Sequence, residues 1–306
     1  MRAPETTAPP SPVPGASPGL RVHLALLLVQ AAFGGFHVVA KAALSSLSPL
    51  ALAGLRVGLA TPILLWLAWR RDRFLPERRD LPMLALLGGL GVFANQILFI
   101  NGLRYTTATN AAILMPSLPV FAVGAAALMG IERIGRRRLA GILLSVAGAL
   151  VLVNPLRFSA DRAMAIGNLM ILVNCLCYAL FLVLQRPLLQ RIPWRTLIAW
   201  SFLFGGGAVL LVSVPALSRL EPAEVPAGVW WGVAYIVLLA TVFAYAANTW
   251  AVRRSSPALV AAYGTLQPLV AAVLATTFLG ERFGWIEGVG FALIVAGLWR
   301  VSSGRT

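Results

Sequence analysis

Arg56, His37 and Lys41 are the residues of this sequence best equipped to hold a small polar solute, and each lies inside a long apolar run. Arg56 stands about two residues from the centre of the run 48–69. That is deep for a guanidinium, and a charge at such a depth costs a few kcal/mol on insertion scales. It must face the inside of a bundle. Two roles fit: it fastens its helix by bonding neighbouring carbonyls, or it meets a substrate or gate. Gly54 and Gly58 flank it in a GxxxG spacing that favours close helix approach. Lys41, the only lysine, sits near the far end of the run 22–44. Its stem either snorkels outward or sets a cation at the mouth of a cavity. His37 lies one turn earlier on the same face. It is a hydrogen-bonded packing residue or a proton carrier, being the one intramembrane group whose ordinary pKa is near neutrality.

The carboxylates inform by their positions. All ten acids, Glu5, Asp72, Glu77, Asp80, Glu132, Asp161, Glu221, Glu224, Glu281 and Glu287, fall in tails, loops or run ends. No fixed anion waits mid-run to trade a lipophilic cation against an ion. A cavity with Arg56, Lys41 and His37 suits an anion or a zwitterion, by facilitated diffusion or exchange rather than strong ion coupling. Glu132 and Glu281 are repeat-related and read either as partners of Arg133, Arg136 or Arg282, or as symmetric gates. Asn95, Gln96, Asn110, Ser117, Asn174, Tyr178, Tyr245, Asn248, Tyr263 and Gln267 are interhelical hydrogen bonds or substrate contacts. Phe33, Phe36, Tyr178 and Phe181 offer an aromatic wall, or ordinary packing. Pro116, Pro119 and Pro268 bend their helices, and the freed carbonyls serve as hinge or binding elements. Cys175 and Cys177, two apart in one run, point to nearly opposite sides and read as packing residues. There is no HExxH, no paired mid-run carboxylate and no Cys–His arrangement, so we expect no metal, no cofactor and no enzyme activity.

The elements that must position these residues are long. Of 306 residues, 59% are apolar and 11% charged, against about 25% charged in a soluble domain. After a proline-rich tail, 1–21, come ten apolar runs: 22–44, 48–69, 81–102, 105–129, 136–153, 165–186, 194–217, 228–251, 256–279 and 284–301. Each is about the length a helix needs to cross roughly 30 Å of hydrocarbon, and none alternates as a barrel strand does. The tail, the even-numbered inter-run loops with the run ends that border them, and the C-terminal end (residues 302–306 and the run end before them) hold 18 of the 25 basic residues. The positive-inside rule then places both termini in the cytoplasm. The net charge of +15 is thereby topological, and no basic face remains for nucleic acid. Most tryptophans lie near run ends, where amphipathic rings favour the interface.

The sequence also repeats itself. Glu132-Arg133, Gly135, Gly141 and Val146-Ala147-Gly148 recur 149 residues later as Glu281-Arg282, Gly284, Gly290 and Val295-Ala296-Gly297, and Pro119 recurs as Pro268. Phe33-Gly34 and Lys41 match Tyr178-Ala179 and Arg186 at a slightly shorter offset. Two halves of five helices, 22–153 and 165–301 joined by 154–164, insert with opposite polarity because five is odd. The expected fold is all-α and membrane-integral: ten transmembrane helices in two inverted five-helix repeats, a recurrent transporter design.

These residues resemble the drug/metabolite transporter superfamily, in particular its ten-helix EamA-type members. The resemblance rests on "AAFGGFHVVAKAAL" (31–44), with Phe33 where that family usually has Trp, on "GLRYTTATNAAILMPSLPVFAVGAAALMGIER" (102–133), and on "RRSSPALVAAYGTLQPLVAAVLATTFLGERF" (253–283). It implies transport of a small metabolite, amino acids foremost, through a central cavity lined by both halves. It further implies a multi-pass protein of the cell's inner (plasma) membrane, monomer or homodimer, whose partners are a small-molecule substrate and the lipid bilayer. Two alternatives stand beside this: a flippase or multidrug exporter on the same fold, and a non-transporting membrane enzyme or scaffold. A flux assay in liposomes separates the last from the others.

Overall fold

The computed structural model of the chain describes residues 19–115, 117–129, 136–153, 162–255, 257–280 and 284–302. The expected tail, Pro116, Glu132, Glu281 and most of the 154–164 connection lie outside these. The apolar runs are helical. The first two are α1 (Leu20–Ala43) and α2 (Pro49–Arg71). Ser48 starts α2 by accepting a hydrogen bond from the Ala51 amide at 3.3 Å, with Pro49 at the first helical position, where its missing N–H costs nothing. Next comes α3, built of Leu81–Gly88, a π-helical turn Gly89–Ala94, and Asn95–Tyr105. α4 is split into Ala108–Leu114 and Ser117–Leu128, and α5 is Arg136–Val153.

In the second half, α6 is Arg162–Leu188 and α7 is Trp194–Leu217. α8 comprises Ala227–Val237, a π-turn Leu238–Phe243, and Ala244–Arg254. α9 comprises Pro257–Tyr263, a 3-10 turn Gly264–Leu266, and Gln267–Phe278, and α10 is Trp285–Ser302. Among the described residues there is no strand, and seven helical spans are long and apolar enough to cross a membrane.

The distribution of polarity shows what solvent the fold expects. Leu28, Leu211, Trp231, Val273, Phe278 and Trp285 are exposed, whereas Gln30, His37, Arg56, Gln96, Asn174, Gln185 and Asn248 are buried. In a soluble protein Asn, Gln and Arg are mostly exposed. With lipid outside, helices associate through close packing of small residues. Gly54 faces Ser213 and Leu217, Gly58 faces Leu210, and Gly206 faces Thr61 and Val57, so α2 and α7 meet along a glycine seam. Gly148 in α5 packs on the backbone of Gly290 in α10. Two glycines of the sequence repeat, Gly148 and Gly290, are therefore a contact point between its two copies.

The two halves break their helices at matching places. The π-turns, the helices that follow them, Ala108–Leu114 with Pro257–Tyr263, and α5 with α10 all start and end 149 residues apart. The packing obeys the same relation. α2 contacts α7, and α5 contacts α10. α1 packs on α9 as α6 packs on α4, and α1 packs on α8 as α6 packs on α3. A pseudo-two-fold axis relates the halves, and it passes where a residue meets its own mate. Gln96 and Tyr245 are such mates, and Gln96 Nε2 donates to the Tyr245 hydroxyl at 3.3 Å.

Candidate functional site

The two π-turns put unusual atoms beside that axis. A wide turn leaves carbonyls without their helical amide. In α8 the freed Ala240 carbonyl accepts from a terminal guanidinium nitrogen of Arg56 at 3.0 Å. Thr241 Oγ1 accepts from Arg56 Nε at 2.7 Å while donating to the Ile236 carbonyl at 2.7 Å. In α3 the mate of Ala240 is Gly91, whose carbonyl accepts from the Tyr245 hydroxyl at 3.1 Å. The same hydroxyl lies 2.8 Å from Asn95 Oδ1, so its one proton is shared between two acceptors. Gly91 has no side chain for a reason: a Cβ there would enter the ring of Phe181.

Phe33, Phe36, His37, Arg56, Asn95, Phe99, Met115, Leu118, Asn174, Tyr178, Tyr245 and Gln267 enclose one cavity at this point. The Arg56 guanidinium lies over the Phe36 ring, 4.0 Å from its centroid, a favourable cation–π geometry. No ion pair between described residues includes Arg56. His37 Nδ1 is 2.6 Å from the Phe33 carbonyl. A carbonyl only accepts, so Nδ1 carries the proton and Nε2 is left as an acceptor; that atom is buried and has no partner. Asn174 Nδ2 donates to the Asn95 carbonyl at 2.8 Å, and Gln267 Nε2 donates to Gln30 Oε1 at 2.7 Å. Edge-to-face contacts of Tyr245 with Phe33, Tyr178 and Phe202 complete an aromatic wall. The cavity holds ≈ 60 Å³ of water-accessible space, room for about four waters at roughly 15 Å³ each. Small-molecule pockets are several times larger.

Of the residues singled out from sequence, the structure brings Phe33, Phe36, His37, Arg56, Asn95, Asn174, Tyr178, Tyr245 and Gln267 to the cavity. Gln96 and Asn248 stand one layer behind, bonded to Tyr245 and Tyr178 respectively. Ser117 is buried outside the cavity lining, and three further candidates are engaged elsewhere. Lys41 Nζ donates to the carbonyls of Leu103, at 2.8 Å, and Thr106, at 2.5 Å, at the end of α3. Orphan carbonyls at a helix C-terminus attract a cation, so its charge is engaged there. Asn110 Nδ2 contacts Met164 Sδ at 3.7 Å, and Tyr263 bonds His23 Nδ1 at 2.5 Å. Pro119 is buried early in the second piece of α4, just after the break that follows Leu114, and Pro268 follows the 3-10 turn of α9.

Sequence reasoning missed Gln30, Phe99, Met115 and Leu118 as lining or near-lining residues, and Ala240 and Thr241 as holders of Arg56. Leu118 had a signal: it is the repeat mate of Gln267. The π-turns had none. Tyr245 knits three groups on the axis, so Tyr245→Phe should cost about 1–3 kcal/mol, read as a fall in Tm of the purified protein of about 2–10 °C. An unchanged Tm would mean that these bonds contribute nothing.

Comparison with known proteins places this geometry. The EamA-like transporter family matches residues 20–154 and again 165–303. Protein WALLS ARE THIN 1 of Arabidopsis thaliana is 30% identical, over 94% of this chain and 84% of that protein. An uncharacterized transporter of Archaeoglobus fulgidus is 31% identical over 91% and 96%. The uncharacterized transporter YyaM of Bacillus subtilis is 22% identical over 92% and 94%. A protein crystal structure superposes with a TM-score of 0.65 at 17% identity, over 92% of this chain and 97% of that one, a likeness of fold. Two consecutive matches to one family, spanning nearly the whole chain, make this all-helical, multi-pass membrane protein a member of the EamA-like transporter family, within the drug/metabolite transporter superfamily.

Proposed function

We propose that the chain carries a small zwitterionic or anionic metabolite, amino acids foremost, by alternating access through the central cavity. The observation that carries this reading is Arg56. Its guanidinium stands at the cavity wall, held by a carbonyl, a hydroxyl and an aromatic face, with no carboxylate paired to it among the described residues. Such a group retains electrostatic attraction for a carboxylate, and its planar fork suits two parallel hydrogen bonds. His37 Nε2 supplies an acceptor for an ammonium or N–H on the same ligand. The pseudo-two-fold relation supports two similar-energy shapes, one open to each face. With the arginine-rich loops inward, both termini are cytoplasmic, in the cell's inner (plasma) membrane. Transport is export or facilitated exchange, and the protein acts as a transporter rather than an enzyme.

The test is counterflow in liposomes holding the purified protein, with each standard amino acid and, as a lipophilic cation, tetraphenylphosphonium. Exchange of at least one zwitterion or anion above protein-free liposomes, with no cation exchange, is the expected result. Movement of the cation alone would overturn the reading. One observation favours a second reading, a flippase or multidrug exporter. An apolar groove of ≈ 550 Å³ lies between α1, α8 and α9, lined by Val38, Val39, Trp231, Tyr235, Leu274 and Phe278 among others. Flipping of a fluorescent lipid by the same liposomes would support it.

A further inference from the structure

A buried polar atom without a partner is costly inside a membrane, where no water replaces the lost bond. Four such atoms lie on the arginine-bearing halves of α6 and α8. Gln185 is buried, and neither its Oε1 nor its Nε2 has a partner; Asn248 Oδ1 and Thr249 Oγ1 are buried and unpartnered likewise. Their placement is ordered. Asn174, Tyr178, Phe181 and Gln185 follow the spacing i, i+4, i+7, i+11, one face of α6. Asn174 and Tyr178 line the central cavity, so Gln185 continues that wall for two turns, about 10 Å, toward Arg186. On α8, Tyr245 lines the cavity and Asn248 and Thr249 follow one turn on, toward Arg253 and Arg254. Asn248 Nδ2 donates to the Tyr178 hydroxyl at 2.9 Å and joins the two faces.

The repeat tells whether packing demands these groups. The mates of Gln185, Asn248 and Thr249 in the first half are Ala40, Phe99 and Ile100. All three are buried and apolar. The shared scaffold is thus built equally well without amides or hydroxyls there. The polar end is also the fastened end. Asp72, after α2, accepts from Arg195 at 2.9 Å and Thr196 at 3.3 Å, and Asp80 pairs with Arg191 at 2.6 Å, which ties the 2–3 loop to the 6–7 loop. At the other end the corresponding loops frame a cleft of ≈ 760 Å³ bearing Arg104, Arg219, Glu221 and Glu224. No ion pair between described residues spans it.

We propose that Gln185, Asn248 and Thr249 form the wall of a passage from the central cavity to the arginine-rich face, shut in this structure and hydrated when that face opens. Its ligands are water and the polar groups of the small solute in transit. The proposal rests on the transport reading, but its tests use no transported solute, so failure of the amino-acid panel leaves it standing and the converse holds too. In a Cys175→Ala, Cys177→Ala background, Gln185→Cys, Thr249→Cys, Leu64→Cys and Leu84→Cys are exposed in inside-out vesicles to a membrane-impermeant methanethiosulfonate. Leu64 and Leu84 are equally buried apolar positions near the same face. Cysteines at 185 and 249 should react about tenfold or more faster than those at 64 and 84, because only the passage opens to water. Gln185→Leu, which removes two unpartnered atoms, should raise the Tm of the purified protein by about 2–6 °C. Equal labelling rates at the four positions, or a lowered Tm for Gln185→Leu, would overturn the proposal, since a residue that merely holds helices together stays dry and destabilises when lost.

Discussion

Replacing Arg56 with alanine should lower the transport rate at limiting substrate roughly 10- to 140-fold and leave the fold intact. The magnitude follows from one hydrogen bond to a charged partner, worth about 1.5–3 kcal/mol, at about 1.4 kcal/mol per factor of ten. The preserved fold follows from what Arg56 touches. Thr241 keeps its bond to the Ile236 carbonyl, and the Ala240 carbonyl and Phe36 ring are neutral. No opposite charge is stranded, which is what makes the loss of one member of a buried ion pair so damaging. Removing a desolvated cation offsets the lost contacts. Arg56→Lys keeps the charge without the two-pronged geometry and should fall between alanine and wild type. Flux into liposomes and Tm, measured on the same preparations, decide it. A collapse of Tm in both Arg56→Ala and Arg56→Met would show that Arg56 only fastens α2 to α8.

Much of this site was legible in the sequence because lipid is an unforgiving solvent. A buried amide, histidine or arginine in a membrane run has to face inward, so position along the run and face of the helix sufficed to bring His37, Arg56, Asn95 and Gln267 to one cavity. The 149-residue offset, read from glycines and a Glu-Arg pair, extends to helix breaks that those residues do not touch. Lys41 shows the limit. Its face is shared with His37, but its long stem reaches the end of α3, and only the packing of α1 on α3 reveals that. The π-turns were illegible for a different reason. "GLGVFA" and "LLATVF" have Leu, Ala, Val and Phe in common but read as ordinary apolar sequence, and a wide turn arises from how neighbouring helices accommodate it rather than from local propensity. With the turns went the identity of Arg56's holders, the freed Ala240 carbonyl and Thr241.

The second large effect concerns those turns. Gly205→Val should lower Tm by about 10 °C or more, or prevent recovery of folded protein. Gly205 of α7 lies against the backbone of Gly88 in α3. A Cβ on Gly205 would fall on the Gly88 carbonyl oxygen, 2.6 Å from its carbon and 2.7 Å from Val92 Cβ. The contact is reciprocal, since a Cβ on Gly88 would come within 2.5 Å of the Ser201 carbonyl oxygen and 2.7 Å of the Gly205 amide nitrogen. Backbone cannot rotate away as a side chain does, so the helices must separate. Overpacking costs about 1–3 kcal/mol when side chains can yield, and more when they cannot; each kcal/mol moves Tm by about 2–4 °C at somewhat smaller chain lengths. Gly207, two residues on, is the internal control. Nothing lies within 4 Å of a Cβ there, so Gly207→Ala should be neutral or stabilise by up to about 1 kcal/mol, the difference between the two residues in a helix. Gly58→Ala is intermediate, because its Cβ meets only the terminal Cδ2 of Leu210 at 2.9 Å. The order 205, 58, 207 in thermal melts therefore separates close backbone approach from a general intolerance of glycine substitution, and similar losses at 205 and 207 would contradict it. Val92 belongs to the π-turn that carries the Gly91 carbonyl to Tyr245. Forcing α7 away from Gly88 thus also moves the cavity wall, and a folded Gly205→Ala variant should lose transport before it loses structure.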